Sequence, residues 1–335
     1  MNIVVIGLGS MGKRRIRLIK EMYPEYTICG VDGREDRRKE ATAMFDISCF
    51  SSATDVEDNI DCAFVCTSPL SHASIITDCL EFRWNVFTEL NLVADKYDEN
   101  IRLAKENNCT LFLSSTFFYR QETKYISSKI SKDKKWNYIY HIGQYLPNWH
   151  PWENYKDFFV GDKRTNGCRE ILAIELPWLE SAFGEIESTT SVSDKITDLN
   201  IGYNDNYMIQ ISHMNGNKGT LVVDVVSPVA VRNLEVYAEN AYLSWNGTPD
   251  SIREFNQQTK KIENVNLSEA AEHKEGYSAF IVENAYKNEI REFFDVVLKH
   301  DGNGRPADGS IQPDPQPPGK PLCRRQGKES TRARL

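Results

Sequence analysis

Long apolar runs are missing from this chain. Nowhere in its 335 residues do eighteen apolar side chains follow one another, so no membrane-spanning helix is expected. An excess of positive charge is missing too, and a formal net charge of −8 argues against nucleic acid as a general partner. Cysteine is present without order. The eight thiols (Cys29, Cys49, Cys62, Cys66, Cys79, Cys109, Cys168, Cys323) are scattered through mostly apolar segments, which suits reduced thiols better than a disulfide framework. Cys62 and Cys66 stand too far apart for a redox Cys-x-x-Cys, no histidine pair accompanies them, and no metal site is expected. A charged-then-apolar leader is also lacking, since Met1 runs straight into a strand; a cytoplasmic location is the expectation.

What is present begins at once. Residues 2–6 form an apolar strand that breaks into Gly7-x-Gly9-x-x-Gly12, with Ser10 and Met11 between the last two glycines, and a helix-forming stretch follows over 13–22. A second strand over 26–32 ends in Asp32, 25 positions after Gly7. Strand, glycine turn, helix, strand and terminal carboxylate together make the βαβ dinucleotide fingerprint. Gly7 permits the tight turn, Gly9 admits a pyrophosphate to the backbone, and Gly12 lets helix and strand pack closely. The diphosphate is expected on the free amides of residues 9–12. Asp32 would accept hydrogen bonds from the adenosine ribose and repel a 2′-phosphate, which places NAD ahead of NADP. Arg34 and Arg37 lie near enough to hold such a phosphate, and Asp32 could instead simply begin its Asp-Gly turn.

Composition, at 40 % hydrophobic, supports real cores, and the length supports two domains. Residues 1–118 alternate strand and helix: further strands over 61–66, 85–88 and 110–113, and helices over 72–82 and 96–107. Such alternation means a parallel sheet covered on both faces. From 119 to 301 the pattern changes. A helix over 121–131, a strand over 136–145 and a helix over 168–182 precede a hairpin, 207–214 against 220–226, turning through 215–219. Strands over 234–237 and 242–245 and a helix over 277–299 complete the reading. The expected fold class is α/β, an N-terminal Rossmann domain followed by an α+β domain with a largely antiparallel open sheet. The tail, 302–335, holds six of the thirteen prolines, no aromatic residue, and seven Lys/Arg against three Asp/Glu. It cannot bury enough apolar area to offset its ordering entropy and is expected to be disordered or aberrant.

These residues resemble the glucose–fructose oxidoreductase/inositol dehydrogenase (Gfo/Idh/MocA) family over roughly residues 1–300. The resemblance is carried by the glycine turn, Asp32, Cys66-Thr-Ser-Pro-Leu-Ser-His72, Val86-Phe-Thr-Glu-Leu-Asn91 and the hairpin-rich second half with Phe183-Gly184. It implies an NAD-dependent oxidoreductase that moves a hydride between nicotinamide and a secondary hydroxyl or ketone of a sugar-like substrate. It also implies that Thr67, Pro69, His72 and Glu89 line the cofactor site, and that copies pair as a homodimer or homotetramer through the second sheet. Two departures stand out. Leu90 and Asn91 replace the lysine and proline of the family's Glu-Lys-Pro, and Ile174 stands at its catalytic histidine position.

A replacement base is therefore needed for the hydroxyl proton. Glu170, at or next to the family's aspartate, is the first candidate. Glu175 is the second, pointing about 140° away on an ideal helix, and His150 is the third. Either carboxylate would equally suit an ordinary helix surface. Trp149, Trp152 and Tyr155 supply rings that pack on sugars, or that pack under the sheet. Arg169 suits an anionic substrate group, and Arg120 either touches substrate or makes an interdomain ion pair. The missing lysine leaves open a non-catalytic dinucleotide sensor, a role the family includes in a fungal galactose-pathway repressor. An NAD-retaining epimerase or lyase is the third reading.

Overall fold

The computed structural model describes residues 1–56, 59–149, 153–267, 271–272 and 281–301. His150, Trp152, residues 277–280 of the last expected helix and the 302–335 tail lie outside the described residues.

The four central strands of the first sheet are buried on both faces, which is why they read as continuous apolar runs. Its strands are β1 (Asn2–Ile6), β2 (Thr27–Val31), β3 (Cys49–Phe50), β4 (Cys62–Val65), β5 (Asn85–Thr88) and β6 (Leu111–Leu113). They lie in the order β3-β2-β1-β4-β5-β6, and every pairing is parallel. The connecting helices are α1 (Ser10–Met22), α2 (Glu35–Phe45), α3 (Pro69–Glu81) and α4 (Tyr97–Glu106). Pro69 sits in the first turn of α3, where its missing N–H costs nothing, so this helix starts earlier than its apolar pattern suggests. One face of the sheet packs Val4, Ile6, Ala63, Val65 and Val86 against Ile76, Leu80 and Ala104.

The opposite face carries a correction. Helix α7 (Glu283–Asp301), expected to close the second domain, returns to the first sheet. Its stripe Ile290, Phe293, Phe294, Val297 is at most 1 % exposed and meets the aromatic side chains of β4 and β5. Phe293 stands edge-on to Phe64 at 5.3 Å and to Phe87 at 5.5 Å. The helical period was readable; which sheet would receive it was not.

The second sheet has eight strands: β7 (Asn137–Gly143), β8 (Ile186–Asp194), β9 (Asn206–His213), β10 (Lys218–Asp224), β11 (Val231–Ala238), β12 (Ala241–Trp245), β13 (Arg253–Asn256) and β14 (Lys261–Asn264). The order is β14-β13-β12-β11-β7-β10-β9-β8, antiparallel except for the β7–β10 pair. Helices α5 (Gln121–Lys129) and α6 (Gly167–Phe183) complete this half. Trp178, Leu179 and Phe183 of α6 enter the same core as Tyr138, Tyr140, Leu221, Val236 and Trp245. Period-two alternation sends the other side chains outward. Among the described residues nothing covers that face, and Ile139, Val192, Met208, Tyr237 and Ile262 are all exposed.

Candidate dinucleotide cleft and active site

The floor of the cleft is set by missing Cβ atoms. Gly7 has φ +95°, and a side chain there would lie 2.7 Å from the Cys66 carbonyl carbon. At Gly12 a Cβ would fall 1.9 Å from the Gly7 oxygen, inside any permissible contact. Gly9 differs. The nearest atom to a Cβ there is Arg37 Nη1 at 3.7 Å, so the backbone is open to approach. No side chain caps α1, and its first turn holds no acidic residue, which leaves the amides of its first turn for an anion. This cradle fits a pyrophosphate.

Asp32 stands at the end of β2 beside the turn. Its Oδ2 accepts from the Leu8 amide at 2.9 Å and its Oδ1 from the Arg34 amide at 2.9 Å, so the carboxylate is locked against the glycine loop. Arg37 Nη1 lies 3.5 Å away. Arg34 is engaged by Asp36, and Arg38 by the carbonyls of Asp32 and Gly33.

On the other side of the β1/β4 junction, residues 67–72 and 89–92 face one another. His72 bridges them, with Nδ1 at 2.9 Å from Asn91 Oδ1 and Nε2 at 2.9 Å from Thr67 O. It is 1 % exposed, and Pro69 is buried. Both were expected to line the cofactor. In their own segment Thr67 is partly exposed and Ser68 exposed. Glu89 is held by Arg15, whose Nε donates to Oε1 at 2.6 Å.

The start of α6 abuts the segment that follows β5. Asn166 caps it by accepting from the Arg169 amide at 2.8 Å. Two arginines tie the helix start to the segment after β5: Arg169 Nη1 donates to Leu92 O at 3.1 Å, and Arg164 donates to both oxygens of Asp95 at 2.7 Å. Arg169 is otherwise exposed. The next residue, Glu170, has an Oε2 that is buried without a hydrogen-bond partner. Burial pushes its carboxyl up to about 7.

Other candidates are placed elsewhere. Glu175 is fully buried in the second core, accepting from Tyr140 Oη at 2.8 Å, Trp178 Nε1 at 2.7 Å and the Arg232 guanidinium at 2.7 and 3.0 Å. With every lone pair engaged it is a structural anchor, contrary to the expectation of a base. Arg120 is 2 % exposed, paired with Glu122 at 2.9 Å and lying over the Phe117 and Trp245 rings. It holds the second domain together and is not presented to a substrate. Trp149 donates to Gln144 O and packs beside Gly167, and Tyr155 Oη accepts from the Asn200 amide; both are partly buried against the second core. Sequence reasoning missed Arg15, Asp95, Arg164 and the bridging Asn91. Only Arg15 carried a signal, since it falls on the apolar stripe Gly12, Arg15, Ile16, Ile19 of α1.

Comparison with known proteins follows the same geometry. Residues 1–115 match the family model described as an oxidoreductase family with an NAD-binding Rossmann fold. No curated protein matches the chain. Among solved structures, an oxidoreductase from Agrobacterium radiobacter in complex with NAD+, L-tartaric acid and magnesium aligns with TM-score 0.73 at 10 % identity, over 89 % of this chain and 88 % of that one. GenD2 from gentamicin A biosynthesis, in complex with NAD, gives 0.70 at 15 %, over 92 % and 88 %. The UDP-N-acetylglucosamine 3-dehydrogenase GnnA from Acidithiobacillus ferrooxidans gives 0.68 at 14 %, over 91 % and 90 %. At these identities the structures establish the shared fold. Residues 1–115 thus match the Gfo/Idh/MocA oxidoreductase family model, and both sheets are arranged as in these oxidoreductase structures.

Proposed function

We propose that this protein is an NAD-dependent oxidoreductase acting on a secondary hydroxyl, or the matching ketone, of a sugar-like substrate, with Glu170 as its proton acceptor. The observation that carries the reading is the orphaned Oε2 of Glu170 at the mouth of α6. A buried carboxyl oxygen without a donor is costly, and a bound hydroxyl removes that cost. A carboxyl poised near 7 also exchanges protons with an alcohol more readily than an ordinary glutamate. Bound NAD would supply the hydride acceptor. The first turn of α1 and Asp32 would hold its diphosphate and adenosine ribose, and Thr67 and Glu89 would border its other half. Arg169, tied by one nitrogen to Leu92 O and otherwise exposed, is suited to an anionic substituent. The solved structures named as a UDP-N-acetylglucosamine 3-dehydrogenase and as GenD2 from gentamicin A biosynthesis support the substrate class.

In this reading residues 1–118 with α7 form the dinucleotide unit, and 119–282 the substrate unit. The uncovered face of the second sheet, with Met208 and Ile139 about half exposed, supports pairing of copies through that surface.

The test is nicotinamide absorbance with a panel of free sugars, sugar acids, cyclitols and nucleotide-linked sugars. Glu170→Gln is expected to lower turnover by about 10²–10⁴-fold with NAD binding intact. Near-normal turnover in that variant removes Glu170 from the mechanism. A second reading, a dinucleotide-binding sensor, is favoured by Leu90 and Ile174 at the positions where the family's catalytic side chains stand. NAD binding with no absorbance change for any panel member would support it.

A further inference from the structure

The buried charges of the first sheet converge on Arg15. This side chain leaves α1 on its sheet-facing stripe and is fully buried. Besides the bond to Glu89, its guanidinium donates to Glu289 Oε2 at 2.8 Å and to Ser114 Oγ at 3.2 Å, and lies 4.5 Å over the Phe87 ring. Burial opposes the charge of Arg15, but Glu89 and Glu289 more than offset this and hold it protonated. The two carboxylates differ. Glu289 is fully buried, and both its oxygens accept, from the Ser115 amide, Thr116 Oγ1 and Arg15. Glu89 keeps 13 % side-chain exposure, and Arg15 holds its Oε1. The Arg15–Glu89 pair thus has its positive end sealed in the protein and its negative end at the cleft.

Glu89 directly follows β5, on the opposite side of β1 from Asp32. In a sheet of this order the dinucleotide lies across the carboxyl edge, with its two halves on either side of the β1/β4 junction. Asp32 marks the adenosine side, which leaves Glu89 to the nicotinamide side.

We propose that Glu89, positioned by the buried Arg15, biases this protein toward the oxidised form of its dinucleotide. The inference rests on the dinucleotide-binding reading above. An oxidised nicotinamide ring carries a positive charge and a reduced ring carries none, so a fixed carboxylate in a poorly hydrated cleft attracts only the first. Arg15 touches Glu89 but is paired with Glu289 as well, so the trio keeps one net negative charge. The side chain adjacent to Glu89 is Leu90, partly exposed and neutral, and adds no further cation. Preferential binding of the oxidised ring keeps NAD+ seated in the resting protein and, by the same free energy, makes the bound ring a weaker hydride acceptor than free NAD+.

Calorimetric titration of the full chain with NAD+ and NADH separately tests this without any substrate. Glu89→Gln is expected to weaken NAD+ relative to NADH by about tenfold, equal to roughly 1.4 kcal/mol. Glu89→Asp, which keeps the charge, should restore most of the wild-type ratio. Leu90→Lys, which leaves the buried pair untouched, should move the ratio in the same direction as Glu89→Gln, and it carries the test if the latter does not fold. An unchanged ratio in Glu89→Gln or Leu90→Lys, or equal loss in the Asp and Gln variants, overturns the proposal while the dinucleotide reading stands. A wild type that binds neither form overturns both.

Discussion

The first turn of α6 and its middle hold carboxylates in opposite conditions. Glu175 accepts four hydrogen bonds from Tyr140, Trp178 and Arg232 inside the second core. Glu170, five residues earlier on the same helix, has an oxygen that is buried and has no donor. Both are acidic, both are removed from water, and sequence spacing treats them alike. The difference lies entirely in what the rest of the chain brings to meet them. Tyr140 of β7 and Arg232 of β11 join Trp178 of α6 itself to give Glu175 a complete set of donors, whereas no donor reaches Glu170 Oε2. A satisfied buried carboxylate specifies a fold; an unsatisfied one is available for chemistry.

This contrast can be broken most sharply by amide substitution. Glu175→Gln leaves the Arg232 guanidinium buried without its counter-charge and should cost about 3–5 kcal/mol of stability, read from the urea midpoint. Glu170→Gln should act in the other direction. The folded protein holds the Glu170 proton up to about 7, above the ordinary glutamate value, so this residue's contribution to stability is complete at low pH and is lost as pH rises toward 7. Above that pH the glutamine variant should be the more stable of the two, by up to about 3 kcal/mol. If both variants lose stability to the same extent at pH 8, the distinction between the two sites fails.

A gentler probe is the pH profile of substrate oxidation. A base works ionised, so kcat/KM should rise about tenfold per pH unit below 7, level off above it, and lose this limb in Glu170→Gln. The smallest effect belongs to the exposed pair Arg164–Asp95. Asp95→Asn should leave the thermal midpoint within experimental scatter at physiological salt, because such pairs are solvated and screened.

The cofactor half was legible because its requirements are written into the backbone. Gly7 and Gly12 are needed where a Cβ would strike the chain itself, and such exclusions act over a few residues. The expected hairpin between β9 and β10 is found for the same reason, its turn being a local device. Polar elements escaped notice. Helix α2 buries only Ala41, and β8 and β14 are exposed along most of their lengths, so none shows the apolar periodicity that marks a half-buried element. On the substrate side the sequence offered Glu170 ahead of Glu175 as base, and Arg120 and Arg169 as substrate contacts, without showing which of them face a ligand. Whether an Arg or Glu faces a cleft or a core depends on partners 35 to 127 residues away, as Tyr140 to Glu175 and Arg120 to Gly247 illustrate. No local pattern encodes that.

The return of α7 to the first sheet bears on how the chain matures during synthesis. Phe64 and Phe87 are made early, yet the side chains that cover them, Phe293 and Phe294, leave the ribosome only after the whole second sheet has been translated. Until then the nascent dinucleotide unit shows a greasy flank of aromatic rings, a natural landing place for a chaperone. A fragment ending near residue 118 should accordingly aggregate, and supplying a peptide of residues 281–301 in trans should rescue its solubility.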